Sequence, residues 1–225
     1  MSNSYFRRVP NFEYVSRNKD EKQISNYDNV KNLFKRGKLR EDIFGDLSFF
    51  TKYQIIGDER PDNVAYKFYN ESSFDWVVLL SNNILNIQTE WPMTQYTFDK
   101  YLLDKYGDYN TLYSGVHHYE VIRSIKTSQG ITIVPEGTKV DSGYSITYYD
   151  YGLQAEVTKS NIGTAISNYE YENKIQEDKR GIFILKARYL NVLFNDMDNI
   201  MSYKKGGDQY VNSTLKRGNN IRLFE

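Results

Sequence analysis

The sequence predicts an α+β protein. Three observations carry this. The run Phe49 to Ile56 is rich in β-formers and leads into two helical stretches. From Gly115 to Tyr151 the apolar period becomes two. At Gly181 to Met201 a short apolar strand is followed by an amphipathic helix. The expected architecture is a strand–helix–helix core, an antiparallel β section, a C-terminal strand–helix pair and extended arms at both ends.

Residues 1–48 read as an N-terminal arm with a short helix. The first 26 are polar and aperiodic, and Tyr27, Val30 and Phe34 recur at helical spacing. The cluster Lys35, Arg36, Lys38 and Arg40 follows, with Glu41, Asp42 and Asp46 nearby to neutralise it in a solvated loop.

Residues 49–106 read as one module. After the strand, Gly57 permits a turn, and Pro61 suits the first turn of a helix, where its missing N–H has no helical partner. Asp58, Glu59 and Asp62 lie where the helix dipole favours negative charge. That helix runs to Tyr69 and stops at Asn70. Ser72 or Ser73 can cap a second helix, Phe74 to Ser81, apolar enough to be buried nearly all round, with Trp76 in the core. Asn82 and Asn83 end it. Thr94 can cap a third helix to about Lys105, with Phe98, Tyr101, Leu102 and Tyr106 on a stripe and Gly107 as its stop.

Residues 107–155 read as the β section, with turns at Pro135-Glu136-Gly137 and Asp141-Ser142-Gly143. In 156–203 the stretch Glu156 to Arg180 is polar and ambiguous. The strand Gly181 to Leu185 is clear, as is a helix carrying Leu190, Leu193, Phe194, Met197, Ile200 and Met201. Residues 204–225 read as a flexible tail that orders only against a partner, ending in the apolar tag Ile221-Arg222-Leu223-Phe224.

Composition narrows the function. The 225 residues carry 29 Lys plus Arg and 29 Asp plus Glu, a net charge of zero. This argues against a wrapped nucleic acid, which needs uncompensated cations. No apolar run has the length of a membrane span. Met1 to Pro10, polar and holding Arg7 and Arg8, is not expected to act as a signal peptide. Cysteine is absent, which removes disulfides, thiolate metal sites and a cysteine nucleophile.

No nucleotide-binding glycine loop or catalytic signature occurs, so no cofactor and no enzymatic activity are expected. His117 and His118 would point to opposite faces of a strand, unsuited to sharing a metal. Asn195, Asp196 and Asp198 lack the glycine and terminal Glu of a calcium loop and read as a solvated helix face.

Tyrosine is abundant, 21 residues, in a chain of mean hydropathy −0.67. Apolar rings with polar tips suit interfaces, and equally a core low in leucine that uses tyrosine as filler. Tyr148, Tyr149 and Tyr151 crowd one short strand too densely for all to be buried. With Leu223 and Phe224 of the terminal tag they are the candidate protein-interface residues.

The segment Tyr53 to Ile84 contains a strand, Gly57-Asp58, Val64-Ala65, Phe68-Tyr69, Phe74-Asp75-Trp76, Leu79-Leu80 and Asn82-Asn83 in that order. It resembles a lysin-motif (LysM) module, a small βααβ fold often used to bind N-acetylglucosamine polymers. The second strand expected after the Asn pair is not evident there, where Trp91-Pro92 stands. A wider resemblance rests on Tyr27 to Arg40, Gly57-Asp-Glu-Arg-Pro61, Tyr69 to Asn83, Trp91-Pro92-Met93-Thr94, Asn168 to Glu172, Lys179-Arg180, Ile182 to Lys186 and Leu190 to Met201. These blocks are similar to the baseplate wedge protein gp53 family of T-even-type contractile-tailed phages, which carries a LysM-like core.

The resemblance implies a structural protein that connects neighbouring wedges into a closed sixfold baseplate. It implies as partners other wedge proteins of the same and the adjacent wedge, with no nucleic acid and no membrane. It places the protein in the virion tail baseplate, assembled in the host cytoplasm. The other expectation is a LysM-type carbohydrate (peptidoglycan or chitin) binding module.

Overall fold

The computed structural model describes residues 4–15, 27–206 and 209–218. The architecture is mixed α+β, with several small sheets rather than one large one. The chain divides into two compact units, one made of residues 1–91 and 181–225, the other of residues 92–180.

The first unit begins with α1 (Tyr5–Arg8) and β1 (Asn11–Val15). The stretch read as an arm is therefore partly packed, and Val9 is buried. β2 (Tyr27–Lys31) pairs antiparallel with β1, Asn11 opposite Lys31 and Val15 opposite Tyr27. This corrects the helix expected at Tyr27 to Phe34. Three apolar positions are too few to fix a period, and the exposed face of β2 offers a helix nothing to pack against.

α2 (Glu41–Phe44) follows, with Lys38 paired to Glu41 and Arg40 to Asp42, as the basic cluster led one to expect. β3 (Phe50–Gln54) enters the Gly57 turn, where φ is +58°. α3 (Pro61–Tyr69) has proline in its first turn and ends at Asn70 in the left-handed region, φ 55°. α4 (Asp75–Ser81) is preceded by a 3-10 turn over Ser72–Phe74. Neither Ser72 nor Ser73 caps it. The Glu71 carboxylate accepts from the Ser73 N–H instead. α5 (Ile87–Glu90) then leads to Trp91, whose indole N–H donates to the Glu59 carbonyl at 3.0 Å.

In the second unit, α6 (Gln95–Tyr106) is capped by Thr94, which accepts from the Thr97 N–H. It buries Phe98 and Leu102 and stops at Gly107, φ 82°. α7 (Tyr109–Ser114), capped by Asp108, adds Leu112 to the same small core. There follow β4 (Val116–Glu120), β5 (Ile125–Lys126), β6 (Thr132–Val134), β7 (Lys139–Val140), β8 (Ile146–Asp150), β9 (Ala155–Lys159) and β10 (Thr164–Ser167). They form a three-stranded sheet in the order β10-β4-β7 and two hairpins, β5-β6 and β8-β9.

α8 (Asn168–Arg180) lies in the stretch that was ambiguous. Its buried positions are Glu172 and Gln176, so it has no apolar period to read. The Gln176 side chain accepts from the Met93 N–H at 3.1 Å.

Back in the first unit, β11 (Gly181–Leu185) pairs antiparallel with β3, from Gly181 opposite Gln54 to Leu185 opposite Phe50. A strand–helix–helix–strand arrangement is thus closed by a strand that lies beyond the entire second unit in the chain. α9 (Leu190–Met201) buries Leu193, Met197 and Met201. The core gathers these with Val64, Trp76, Val77, Val78 and Ile184.

β12 (Tyr210–Asn212) and β13 (Leu215–Arg217) complete a sheet in the order β12-β13-β1-β2, with β13 parallel to β1. Residues 209–218 are therefore paired within their own chain, which corrects the tail expected to order only against a partner. β1 offers an open edge, and backbone groups take the partner that satisfies them. Leu223 and Phe224 lie outside the described residues.

Candidate functional site

The tyrosine strand is the outer part of the β8–β9 hairpin. Its register sets Ile146 opposite Lys159, Tyr148 opposite Val157, Tyr149 opposite Glu156 and Asp150 opposite Ala155. Alternation puts Ile146, Tyr148 and Asp150 on one face, and Thr147 and Tyr149 on the other. Burial follows that split: Tyr148 is half-buried, whereas Tyr149 is 47% exposed. Tyr151, in the turn, is 76% exposed. The Tyr149 and Tyr151 rings meet edge-on with centroids 5.0 Å apart. The Tyr148 hydroxyl donates to the Lys126 carbonyl at 3.4 Å. Of the three tyrosines, two present a paired aromatic surface and one supports it.

Asp150 holds the turn end of this hairpin. Its carboxylate accepts from the Ser128 N–H at 2.7 Å, the Ser128 hydroxyl at 2.6 Å, the Gly152 N–H at 2.9 Å and the Leu153 N–H at 3.3 Å. These donors, Ser128 first, hold its carboxyl below the usual carboxylate range. A depressed folded pKa contributes stability that is present above the unfolded value, about 3.9, and lost as pH falls through the folded value. The amides of Ser128, Gly152 and Leu153 should therefore lose protection from hydrogen exchange in acid. Asp150→Ala should show the same loss already at neutral pH. Unchanged protection at these three amides in the variant would contradict this role.

The histidines depart from the simple strand picture. The Nδ1 atoms of His117 and His118 approach to 2.9 Å, although the residues are adjacent. His117 stacks on Tyr171 with centroids 3.7 Å apart, and His118 Nε2 lies 3.3 Å from the Glu120 carboxylate. Burial, then the neighbouring His118, lowers the His117 pKa. Among the described residues no group of three or more potential ligands could hold a metal. The acidic residues of α9 are ion-paired rather than merely solvated: Asp198 bonds Arg8 at 2.7 Å, and Asp196 lies 3.6 Å from Arg40.

The buried acid that sequence reasoning missed is Glu172 of α8. It accepts from Lys105 Nζ at 2.6 Å and the Tyr106 hydroxyl at 2.9 Å, with the Tyr101 hydroxyl at 3.5 Å. Burial, and then Glu172, push the Tyr106 phenol up. This set ties α6 to α8 through charge and hydroxyls and is suited to holding helices. The only sequence signal for it is the coincidence of a tyrosine–lysine stripe on α6 with a helix that lacks an apolar face.

A family model described as base plate wedge protein 53 matches residues 5–125, more than half of the chain. No curated protein matches it.

Proposed function

Because the chain belongs to the base plate wedge protein 53 family, and so has a structural role in a phage tail baseplate, we propose that it connects neighbouring wedges into a closed sixfold ring. The observation that carries this reading is the division into two compact units, each with its own core and its own exposed apolar side chains. The first presents Phe6, Phe34, Phe44 and Leu85, the second Tyr96, Tyr109, Tyr149 and Tyr151. A connector needs two different patches on one chain. Repeating such a heterologous contact closes a ring when the rotation per step allows it. Exposed aromatics are the side chains that carry most interface energy.

On this reading the partners are wedge proteins of the same and the adjacent wedge. The role is structural rather than catalytic, and assembly takes place in the host cytoplasm before the protein resides in the virion tail. Sedimentation and electron microscopy of purified wedge complexes test it. Rings should close only when the chain is added, and wedges that close equally well without it would remove the connecting role. Within that assay, Tyr149→Ala should reduce the yield of assembled rings while leaving the melting temperature within about 1–2 °C of wild type, since an exposed side chain contributes little to folding. A lower melting temperature with unchanged assembly would contradict its assignment to the interface.

One observation favours a second reading. The antiparallel pairing of β3 with β11 around α3 and α4 supplies the strand that a LysM-like βααβ module requires. Fold alone does not imply glycan binding. Retention on insoluble peptidoglycan or chitin tests it directly, and a chain that passes through both supports has no such activity.

A further inference from the structure

A cavity of about 760 Å³ opens in the first unit where the end of α9 meets the β1–β13 pair, within the size range of ligand pockets. Three lysines, Lys35, Lys204 and Lys216, are among the residues that line it. Tyr203 stands among them, its ring centroid 4.7 Å from Lys35 Nζ and 5.3 Å from Lys216 Nζ. Lys35 is occupied: its ammonium donates to the carbonyls of Ile200 at 3.1 Å, Met201 at 3.1 Å and Ser202 at 2.8 Å, the carbonyl end of α9. Lys204 and Lys216 form no ion pair among the described residues. Burial, and then the charges of Lys216 and Lys204, lower the Lys35 pKa. The three cations therefore repel one another with no acid paired to them among the described residues.

We propose that this cavity binds a carboxylate-bearing segment of a partner protein, with Lys204 and Lys216 as the anion-facing groups and Lys35 as the fixed charge behind them. A free phosphate would satisfy the ammonium groups but leave most of the volume unfilled. A peptide fills it, because the walls also carry the side-chain amides of Asn199 and Gln209 for backbone groups and the ring of Phe12 for an apolar neighbour. The site does not depend on the wedge-connecting reading, and it can be measured on the isolated chain.

The test is fluorescence anisotropy of fluorescein-labelled hexaglutamate with the full chain at low ionic strength. Binding should weaken about tenfold or more in the double variant Lys204→Glu, Lys216→Glu. It should be unchanged in a charge-matched control, Lys100→Glu with Lys159→Glu, which alters exposed lysines of the second unit. If the reversed charges lower the melting temperature, Lys204→Gln with Lys216→Gln gives the same comparison. Absence of binding by the wild-type chain, or equal weakening in both double variants, would overturn the site. Displacement of hexaglutamate by inorganic phosphate or hexathymidylate at lower concentration than by unlabelled peptide would overturn the acidic-polypeptide assignment. None of these results bears on whether wedges close into rings.

Discussion

Lys105→Met is expected to destabilise the second unit by about 3 kcal/mol, the lower end of what breaking a buried ion pair costs. The reason is an asymmetry in the pair. The Glu172 side chain is 4% exposed, whereas that of Lys105 is 45% exposed. Without the ammonium the carboxylate remains buried beside two phenols. Without the carboxylate, as in Glu172→Gln, the lysine can turn to water and the phenols still face an amide oxygen. The second substitution should therefore cost clearly less. Adding Glu172→Leu to Lys105→Met should recover part of the loss, since the stranded charge is then gone.

Hydrogen exchange at the amides of α6 and α8 reads these differences within the unit concerned. A Lys105→Met chain no less protected than Glu172→Gln would refute the argument. The pair also predicts an alkaline limit. Its bond to Glu172 raises the Lys105 pKa above the ordinary value. A raised folded pKa contributes stability that is complete below the unfolded value, about 10.4, and lost as pH rises through the folded one. The raised Tyr106 phenol acts in the same direction. The second unit should thus loosen in strong alkali, with a smaller change in Lys105→Met.

The other large effect is expected at Asn82, just past α4. Its amide nitrogen donates to the Val78 carbonyl at 2.8 Å and the Phe183 carbonyl at 2.9 Å, and its oxygen accepts from the Phe183 N–H at 2.7 Å. One side chain thus occupies both backbone groups of Phe183 in β11, as a neighbouring strand would. Asn82→Asp is nearly isosteric yet loses both donors and sets a negative charge against two carbonyl oxygens. It should cost about 2–4 kcal/mol, at least as much as Asn82→Ala. Exchange at the Phe183 amide and the melting temperature check this. Partial recovery of Asn82→Asp below about pH 4, where the acid regains a donor, separates charge from shape. An Asp variant as stable as wild type would show that the Phe183 backbone is satisfied without Asn82.

Much of the fold is legible in particular residues. Pro61 and Asn70 bound α3, Thr94 and Gly107 bound α6, and the stripe from Leu190 to Met201 marks α9. Each signal acts within a few residues of itself. α8 was not legible because its buried face is Glu172 and Gln176, polar groups that repay burial only through partners on the segment from Met93 to Tyr106. β2 was misread because its three apolar positions fit a helix, while its backbone bonds are supplied by β1. At the candidate interface the crowding of Tyr148, Tyr149 and Tyr151 was visible, but which of them face water was not. That follows from the hairpin register and from Asp150 at its turn.

The sequence by itself determined the α+β class, the ends of the clearest helices, the absence of cysteine chemistry and the resemblance to a baseplate wedge family. These depend on backbone angles, caps and composition, which neighbouring residues set. Only the tertiary structure decided that β11 rather than a nearby segment pairs with β3, that β13 lies along β1, and that Asn82 and Glu172 are structural centres. Strand edges and buried polar groups must find a hydrogen-bond partner, and the chain does not mark how far away along itself that partner lies.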